Sequence, residues 1–204
     1  MNNKTEIFDL ITTHLVKDAT PSKFLTELSK LPIFSNEPYV MLQRLQFTLQ
    51  SPVHHPEGNV WNHTLLVVDE AAKRRAQSKN EKVFMWAALL HDIGKPSTTA
   101  TRKGKITSYN HDEIGAQLAM QFLHQFTDND DFINEVAFLV KFHMQILFLL
   151  KNPRFASIDQ MAQTCNAEEV ALLGLCDRLG RKGANIEEEE KNIKIFIEKC
   201  KAYS

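Results

Sequence analysis

One stretch constrains this chain more than any other: residues 83–92, VFMWAALLHD, are apolar nearly all round and then end in an imidazole and a carboxylate. A helix that is greasy on every side has no face to give to water, so it must run through the middle of a core. The next residues, Ile93-Gly94-Lys95-Pro96, stop it: glycine suits the cap and proline prevents continuation. The fold has to be arranged around this helix, and its end carries His91 and Asp92 into the interior. A buried carboxylate without a partner costs several kcal/mol, so something must come to meet Asp92.

The rest of the sequence predicts more helices. Glycine and proline are scarce, seven each in 204 residues, which argues against a many-stranded fold with frequent tight turns. Periodicity places helices near 4–17, 21–31, 37–50, 61–78, 81–92, 111–126, 130–151, 157–164, 167–180 and 186–201. Thr20 followed by Pro21 reads as an N-cap and first helical position. Residues 51–60, SPVHHPEGNV, form a loop, and residues 97–110 a polar loop or a short hairpin around Lys103-Gly104-Lys105. The fold class is therefore all-α, with a helical core between 61 and 185 and additional N- and C-terminal helices. Residues 1–50 make an N-terminal helical segment packed on a domain spanning 51–204. The last helix should carry Glu187–Lys191 and Glu190–Lys194 pairs outward and Ile193, Phe196, Ile197 and Cys200 inward.

Composition narrows the class of function. A formal net charge of −1 gives no global field to draw the chain onto nucleic acid or an anionic membrane. The basic run Lys73-Arg74-Arg75 reads as a solvated helix face. Three widely spaced cysteines, with no CxxC pair, favour a reducing cytoplasm over a disulfide framework. The N-terminus lacks a signal-peptide pattern, and no unbroken apolar run reaches the ~18 residues of a membrane span.

Residues that break the core pattern carry the chemistry. His111 opens the face of Ile114, Leu118 and Phe122, and His143 falls on the face of Phe132, Val136, Leu139, Leu147 and Leu150. Asp177 follows Val170 and Leu173, and His63 precedes the buried run Leu65-Leu66-Val67-Val68. Any one of these reads most simply as a satisfied core residue. Two carboxylates on faces shared with several imidazoles suggest a common divalent cation, which accepts both ligand types and offsets the negative charge.

At His63, His91-Asp92 and Asp177 the sequence resembles the HD superfamily, whose metal motif is H…HD…D on helices. AALLHDIGKP, HDEIGA from His111, VKFHM and LCDRLGR supply the surrounding elements in order. HHPEGNVWNHT and the upstream TPSKFLTEL are similar to the C-terminal HD domain of bacterial CCA-adding enzymes, so the resemblance covers roughly residues 20–185. No nucleotidyltransferase head is visible, and the chain looks like the hydrolase part standing alone.

The resemblance implies a metal-dependent phosphohydrolase holding one or two divalent ions (Mg, Mn, Ni, Fe or Zn). His63, His91, Asp92 and Asp177 would hold the first ion. His111 and His143 would add a second, bridged by Asp92 and weaker because no adjacent histidine pair accompanies His143. Asp92, Lys95 and Asp177 would be catalytic; Lys95, Arg178, His55 and Glu57 would face the substrate; Asp112 would orient a ligand imidazole. The implied substrates are small phosphate esters, nucleotides or RNA ends, with 2′,3′-cyclic phosphodiesterase, 2′-nucleotidase or phosphatase activity. Hydrolysis of nucleoside monophosphates or dinucleoside polyphosphates is the alternative enzyme reading, and a non-catalytic RNA- or partner-binding helical module the other.

Overall fold

The structure, a computed structural model, describes residues 4–151 and 153–201. Helices α1 (Lys4–Lys17), α2 (Ser22–Leu28) and α3 (Val40–Gln43) precede the loop to α4 (Val60–Ala72). Then come α5 (Glu81–Leu90), α6 (Lys95–Thr98), a hairpin of β1 (Thr99–Arg102) and β2 (Lys105–Ser108), and α7 (His111–Leu123). The chain continues through α8 (Asp130–Phe142), α9 (Gln145–Lys151), α10 (Ile158–Thr164), α11 (Ala167–Leu179) and α12 (Ile186–Cys200). The fold is all-α apart from that hairpin. Lys103 and Gly104 form its two-residue turn with φ of 51° and 73°, the double positive-φ turn that matches strand twist.

As its composition demands, α5 is central: every residue from Val83 to Leu90 is buried. Helices α1, α4, α8 and α11 surround it, and α7 packs on α8. The N-terminal helices share the same core. Phe8 stacks on Trp86 with centroids 4.6 Å apart, an offset pair worth ~0.5–1.5 kcal/mol beyond burial. The Trp86 indole N–H donates to Thr12 Oγ1, and Tyr39 donates its hydroxyl to the Lys4 carbonyl. One apolar cluster thus runs from Ile7 on α1 to Cys200 on α12.

Several expected boundaries move, each for a local reason. The helix expected over 37–50 is only α3 followed by a 3-10 turn at Arg44–Phe47, after which Thr48 turns extended and Gln50 reaches Lys95. Helix α2 starts at Ser22 rather than Pro21; its first amide and hydroxyl are held by the Asp69 carboxylate of α4. The helix expected over 61–78 stops at Ala72, and a 3-10 turn follows at Arg75–Gln77. The helix expected over 130–151 breaks at His143-Met144. Its inward residues then switch from the expected Leu147 and Leu150 to Ile146 and Leu149.

On α7 the inward stripe is His111, Gly115, Ala119 and Phe122, with Ile114 and Leu118 only partly covered. The expected Glu187–Lys191 and Glu190–Lys194 pairs do not close to within 4 Å among the described residues, as is common for long side chains in water. The stretch Asp130–Lys151 is long and apolar enough to span a membrane by length and composition, with a mean hydropathy of 1.5. However, more than half of its most apolar part is buried inside the fold.

Candidate metal and active site

Two close backbone approaches assemble the site. A Cβ on Gly94 would stand 2.1 Å from the His111 carbonyl oxygen and 2.7 Å from the Gly115 amide. The lack of a side chain at Gly94 therefore lets the start of α7 sit directly on the turn after α5, which joins His111 to His91 and Asp92. Gly180 does the same on the other side: its Cβ would meet Val67 of α4 at 2.6 Å, so the end of α11 lies against α4 and Asp177 against His63.

Around Asp92 three imidazoles are held in one way. His91 Nδ1 lies 2.8 Å from the Ala88 carbonyl, His111 Nδ1 2.7 Å from that of Ser108, and His143 Nδ1 2.6 Å from that of Val140. Each acceptor is three residues back, where the end of a helix or strand leaves a carbonyl free. A carbonyl can only accept, so each Nδ1 carries a proton and, in the neutral ring, each Nε2 presents a lone pair. All three lone pairs face Asp92, at 3.3 Å from His91 to Oδ2, and 3.4 Å and 3.9 Å from His111 and His143 to Oδ1. The Nε2 atoms of His111 and His143 lie 3.3 Å apart. Two lone pairs at that separation repel unless a cation or proton lies between them.

His63 is bound differently. Its Nε2 lies 2.9 Å from Asp177 Oδ1, and its Nδ1 2.9 Å from Glu57 Oε1. His63 and His91 are fully buried, and Asp92 is 1% exposed. Lys95 places Nζ 2.7 Å from Asp92 Oδ2 and 2.7 Å from Gln50 Oε1. Arg181 places Nη2 3.3 Å and 3.5 Å from the two oxygens of Asp177.

Charge follows this geometry. Burial alone would raise the Asp92 carboxyl, but Lys95, His91 and His111 together hold it well below the usual range. Asp177 is likewise lowered against its burial by Arg181, His63 and His91. Burial and the neighbouring His111 and His91 push His143 down to about 4, and burial also lowers His111. His91 moves upward: its burial is outweighed by Asp92 and Asp177. An ion coordinated at Nε2 would displace that proton.

The fit to a divalent cation is good on the donor set alone. His91 Nε2 and Asp92 Oδ2 are both buried without an aligned hydrogen bond, although they lie 3.3 Å apart and the Lys95 ammonium stands 2.7 Å from the carboxylate oxygen. Donor atoms of His63, His91 and Asp92 lie within 4.8 Å of one another, as do those of Asp92, His111 and His143, and those of His55, Glu57 and His63. Imidazole nitrogen with carboxylate oxygen suits a first-row divalent ion.

Most of the residues expected at the site converge there, and others do not. Arg178 does not lie on it: its Nε donates to Glu189 of α12 and the residue is 8% exposed, so the guanidinium at Asp177 is that of Arg181. The Glu57 carboxylate faces inward, with its side chain 1% exposed, rather than outward to a substrate; His55 caps it from the rim with Nδ1 at 2.9 Å. The His63 and His55 rings beside it outweigh burial and lower Glu57 to about 2. Burial, with Lys95 and His63 nearby, lowers His55 to about 4. Asp112 is buried, but main-chain carbonyls rather than its carboxylate orient the rings. Gln50, which lies in no motif, was not anticipated. Arg181 sits one helical turn beyond Asp177, where an i,i+4 pair is legible in the sequence.

Comparison with known proteins agrees with this architecture. The HD domain family model matches residues 60–182. A Multifunctional CCA protein of Azoarcus sp. (strain BH72) is 32% identical over 149 residues, covering 70% of this chain and 34% of that protein. An A-adding tRNA nucleotidyltransferase of Deinococcus radiodurans is 32% identical over 105 residues, 50% of this chain and 23% of that one. A Multifunctional CCA protein of Pseudomonas fluorescens (strain SBW25) is 28% identical over 192 residues, 80% of this chain and 44% of its own length. The chain thus spans from under a quarter to under a half of these relatives. The family match covers more than half of this sequence and contains His63, His91, Asp92, His111, His143 and Asp177: the chain belongs to the HD domain family.

Proposed function

We propose that this protein is a metal-dependent phosphohydrolase acting on nucleotides or RNA ends, with activity of the 2′,3′-cyclic phosphodiesterase, 2′-nucleotidase or phosphatase kind. The observation that carries the reading is the set of Nε2 lone pairs gathered on a buried, ionised Asp92. His63, His91, Asp92 and Asp177 would hold a first divalent ion, and His111 and His143 with Asp92 a second. Such ions lower the pKa of bound water and offset charge on phosphoryl oxygens, the two demands of phosphate ester cleavage.

The protein's own groups prepare that centre. Lys95, fixed by Gln50, keeps Asp92 ionised and immobile. Main-chain carbonyls hold the rings before any ligand arrives, so little reorganisation is needed. Arg181, with a side chain 26% exposed, reaches from Asp177 toward the rim and supplies the phosphate contact expected of Arg178. Residues 51–204 would form the hydrolase unit, with residues 1–50 as a helical flank, and the composition suits the cytoplasm. The name of one relative, an A-adding tRNA nucleotidyltransferase, supports RNA and nucleotides as the substrate class.

The test is turnover of a 2′,3′-cyclic nucleotide, a 2′-nucleotide and a chromogenic phosphodiester by metal-reconstituted protein. Activity should vanish with EDTA and return with a divalent ion. Metal binding without turnover of any phosphate ester would instead favour a non-catalytic module and defeat the proposal.

A further inference from the structure

Three of the site's imidazoles take their orientation from main-chain carbonyls, but no carbonyl stands behind His63. Its outer nitrogen meets a side chain, Glu57 Oε1, at 2.9 Å. That carboxylate is itself held on several sides. His55 Nδ1 lies 2.9 Å from the same oxygen, and the Lys182 amide points at the other at 3.4 Å. The Asn62 side chain donates to the Glu57 carbonyl at 3.1 Å, while the Asn59 side chain accepts from the Asn62 amide and so caps α4. Glu57 therefore folds back from just before the N-cap onto His63, in the first turn of α4. His63 is the fourth residue of the helix, which an apolar residue just before the N-cap often covers; that position here is Gly58, and Glu57 covers His63 instead. A carboxylate there has no apolar contact to make, and with 1% of its side chain exposed it has no substrate to meet.

We infer that Glu57 is a positioning residue: it fixes the His63 ring with Nδ1 toward the carboxylate, and so aims Nε2 at the cation site beside Asp177. The inference rests on the metal-dependent reading above. The Glu57–His63 contact is close but off the line of the ring N–H, and His63 Nδ1 has no aligned hydrogen bond. A ring seated on its metal needs only to turn slightly to close that bond, whereas the His55 bond is already formed. The group His55, Glu57 and His63 has donor atoms close enough to hold an ion of its own, so the experiment must separate positioning from a third cation.

Calorimetric titration of the metal-free protein with Mn²⁺ decides between them. Removal of an outer partner of a ligating histidine typically weakens metal binding about 10–100-fold. Glu57→Gln should therefore weaken the first ion by that factor, leave the number of ions bound unchanged, and recover most of the wild-type kcat at saturating Mn²⁺ with KM little altered. Glu57→Asp, which keeps the charge but draws it back from the ring, should not restore affinity. Circular dichroism of the metal-free variants serves as the check on folding, and His55→Gln, which leaves Glu57 in place, should weaken binding less. Wild-type affinity in Glu57→Gln, or a change confined to KM, overturns the inference. Loss of one whole equivalent in both Glu57→Gln and His55→Gln overturns it in favour of a third cation. If the wild-type protein binds no divalent ion, the metal-dependent reading fails first. If wild type binds and turns over while Glu57→Gln is unaffected, only the role of Glu57 falls.

Discussion

Replacing Gly94 by alanine tests whether the site depends on the backbone approach that assembles it. The added Cβ would stand 2.1 Å from the His111 carbonyl, 2.7 Å from the Gly115 amide and 3.0 Å from its Cα, all main-chain atoms that cannot rotate aside. Reaching ordinary contact requires α7 and the turn after α5 to separate by roughly 1 Å. Overpacking of this kind costs about 1–3 kcal/mol, and in a chain of this size each kcal/mol moves Tm by ~2–4 °C. At about 2 kcal/mol, Gly94→Ala should melt ~4–8 °C below wild type. The same displacement would carry His111 Nε2, now 3.4 Å from Asp92 Oδ1, away from its partner. Misplacement by about 1 Å at a reacting centre can cost ~100-fold in rate. The measurement pairs thermal melts of metal-free protein with kcat/KM at saturating metal. Gly180→Ala, whose Cβ meets Val67 at 2.6 Å, should disturb His63 and Asp177 instead. A Gly94→Ala protein with a Tm within 1 °C of wild type and undiminished turnover would refute the view that this contact sets the ligand geometry.

Four further outcomes are expected. Asp92→Ala should abolish hydrolysis while far-ultraviolet circular dichroism stays helical; wild-type turnover with metal present would remove Asp92 from the machinery. His143→Ala should raise the metal concentration for half-maximal rate without eliminating the first ion, and identical calorimetric isotherms with identical turnover would return His143 to a purely structural part. Arg178→Ala should lower Tm by severing the tie to Glu189 with KM unchanged, whereas Arg181→Ala should raise KM; the reverse pattern would restore Arg178 as the phosphate contact. The metal-free protein should lose stability as pH falls from about 6.5 toward 4, because His55 and His143 are lowered to about 4 in the fold and bind protons more readily once unfolded. His111, also lowered, adds to the effect, and His91, raised in the fold, works the other way but is one group against three. A melting temperature independent of pH across that window would contradict the assignment.

The parts of the fold legible in the sequence were those carried by strong periodicity. VFMWAALLHD could only be a buried helix, and the order of His63, His91-Asp92 and Asp177 on otherwise apolar segments pointed to a shared centre. What could not be read was set by contacts distant in sequence. The stripe on α7 was misplaced because its inward residues, Gly115 and Ala119, are small, and an apolar count favours Ile114 and Leu118. Close approach of two backbones leaves no hydrophobic signal, only the lack of a side chain. Gln50 was invisible because its partner Lys95 lies 45 residues away. Arg178 and Arg181 look alike in sequence; only the packing of α12, which brings Glu189 to Arg178, tells them apart. The break at His143 was likewise hidden, since Asp130–Lys151 carries helical periodicity without a glycine or proline.

The carbonyls behind His91, His111 and His143 have a consequence for how this site tolerates mutation. No codon specifies a carbonyl: Ala88, Ser108 and Val140 can exchange their side chains and still present the same acceptor. Their contribution to ring orientation is therefore shielded from point substitution, so long as the helix and strand ends keep their path. A saturation scan of the site should be uneven as a result, harsh at the imidazoles, permissive at half-buried Ser108, and limited at buried Ala88 and Val140 by side-chain volume rather than by any side-chain chemistry. His63 is the exception, for its neighbour Glu57 acts through atoms that a single base change can remove.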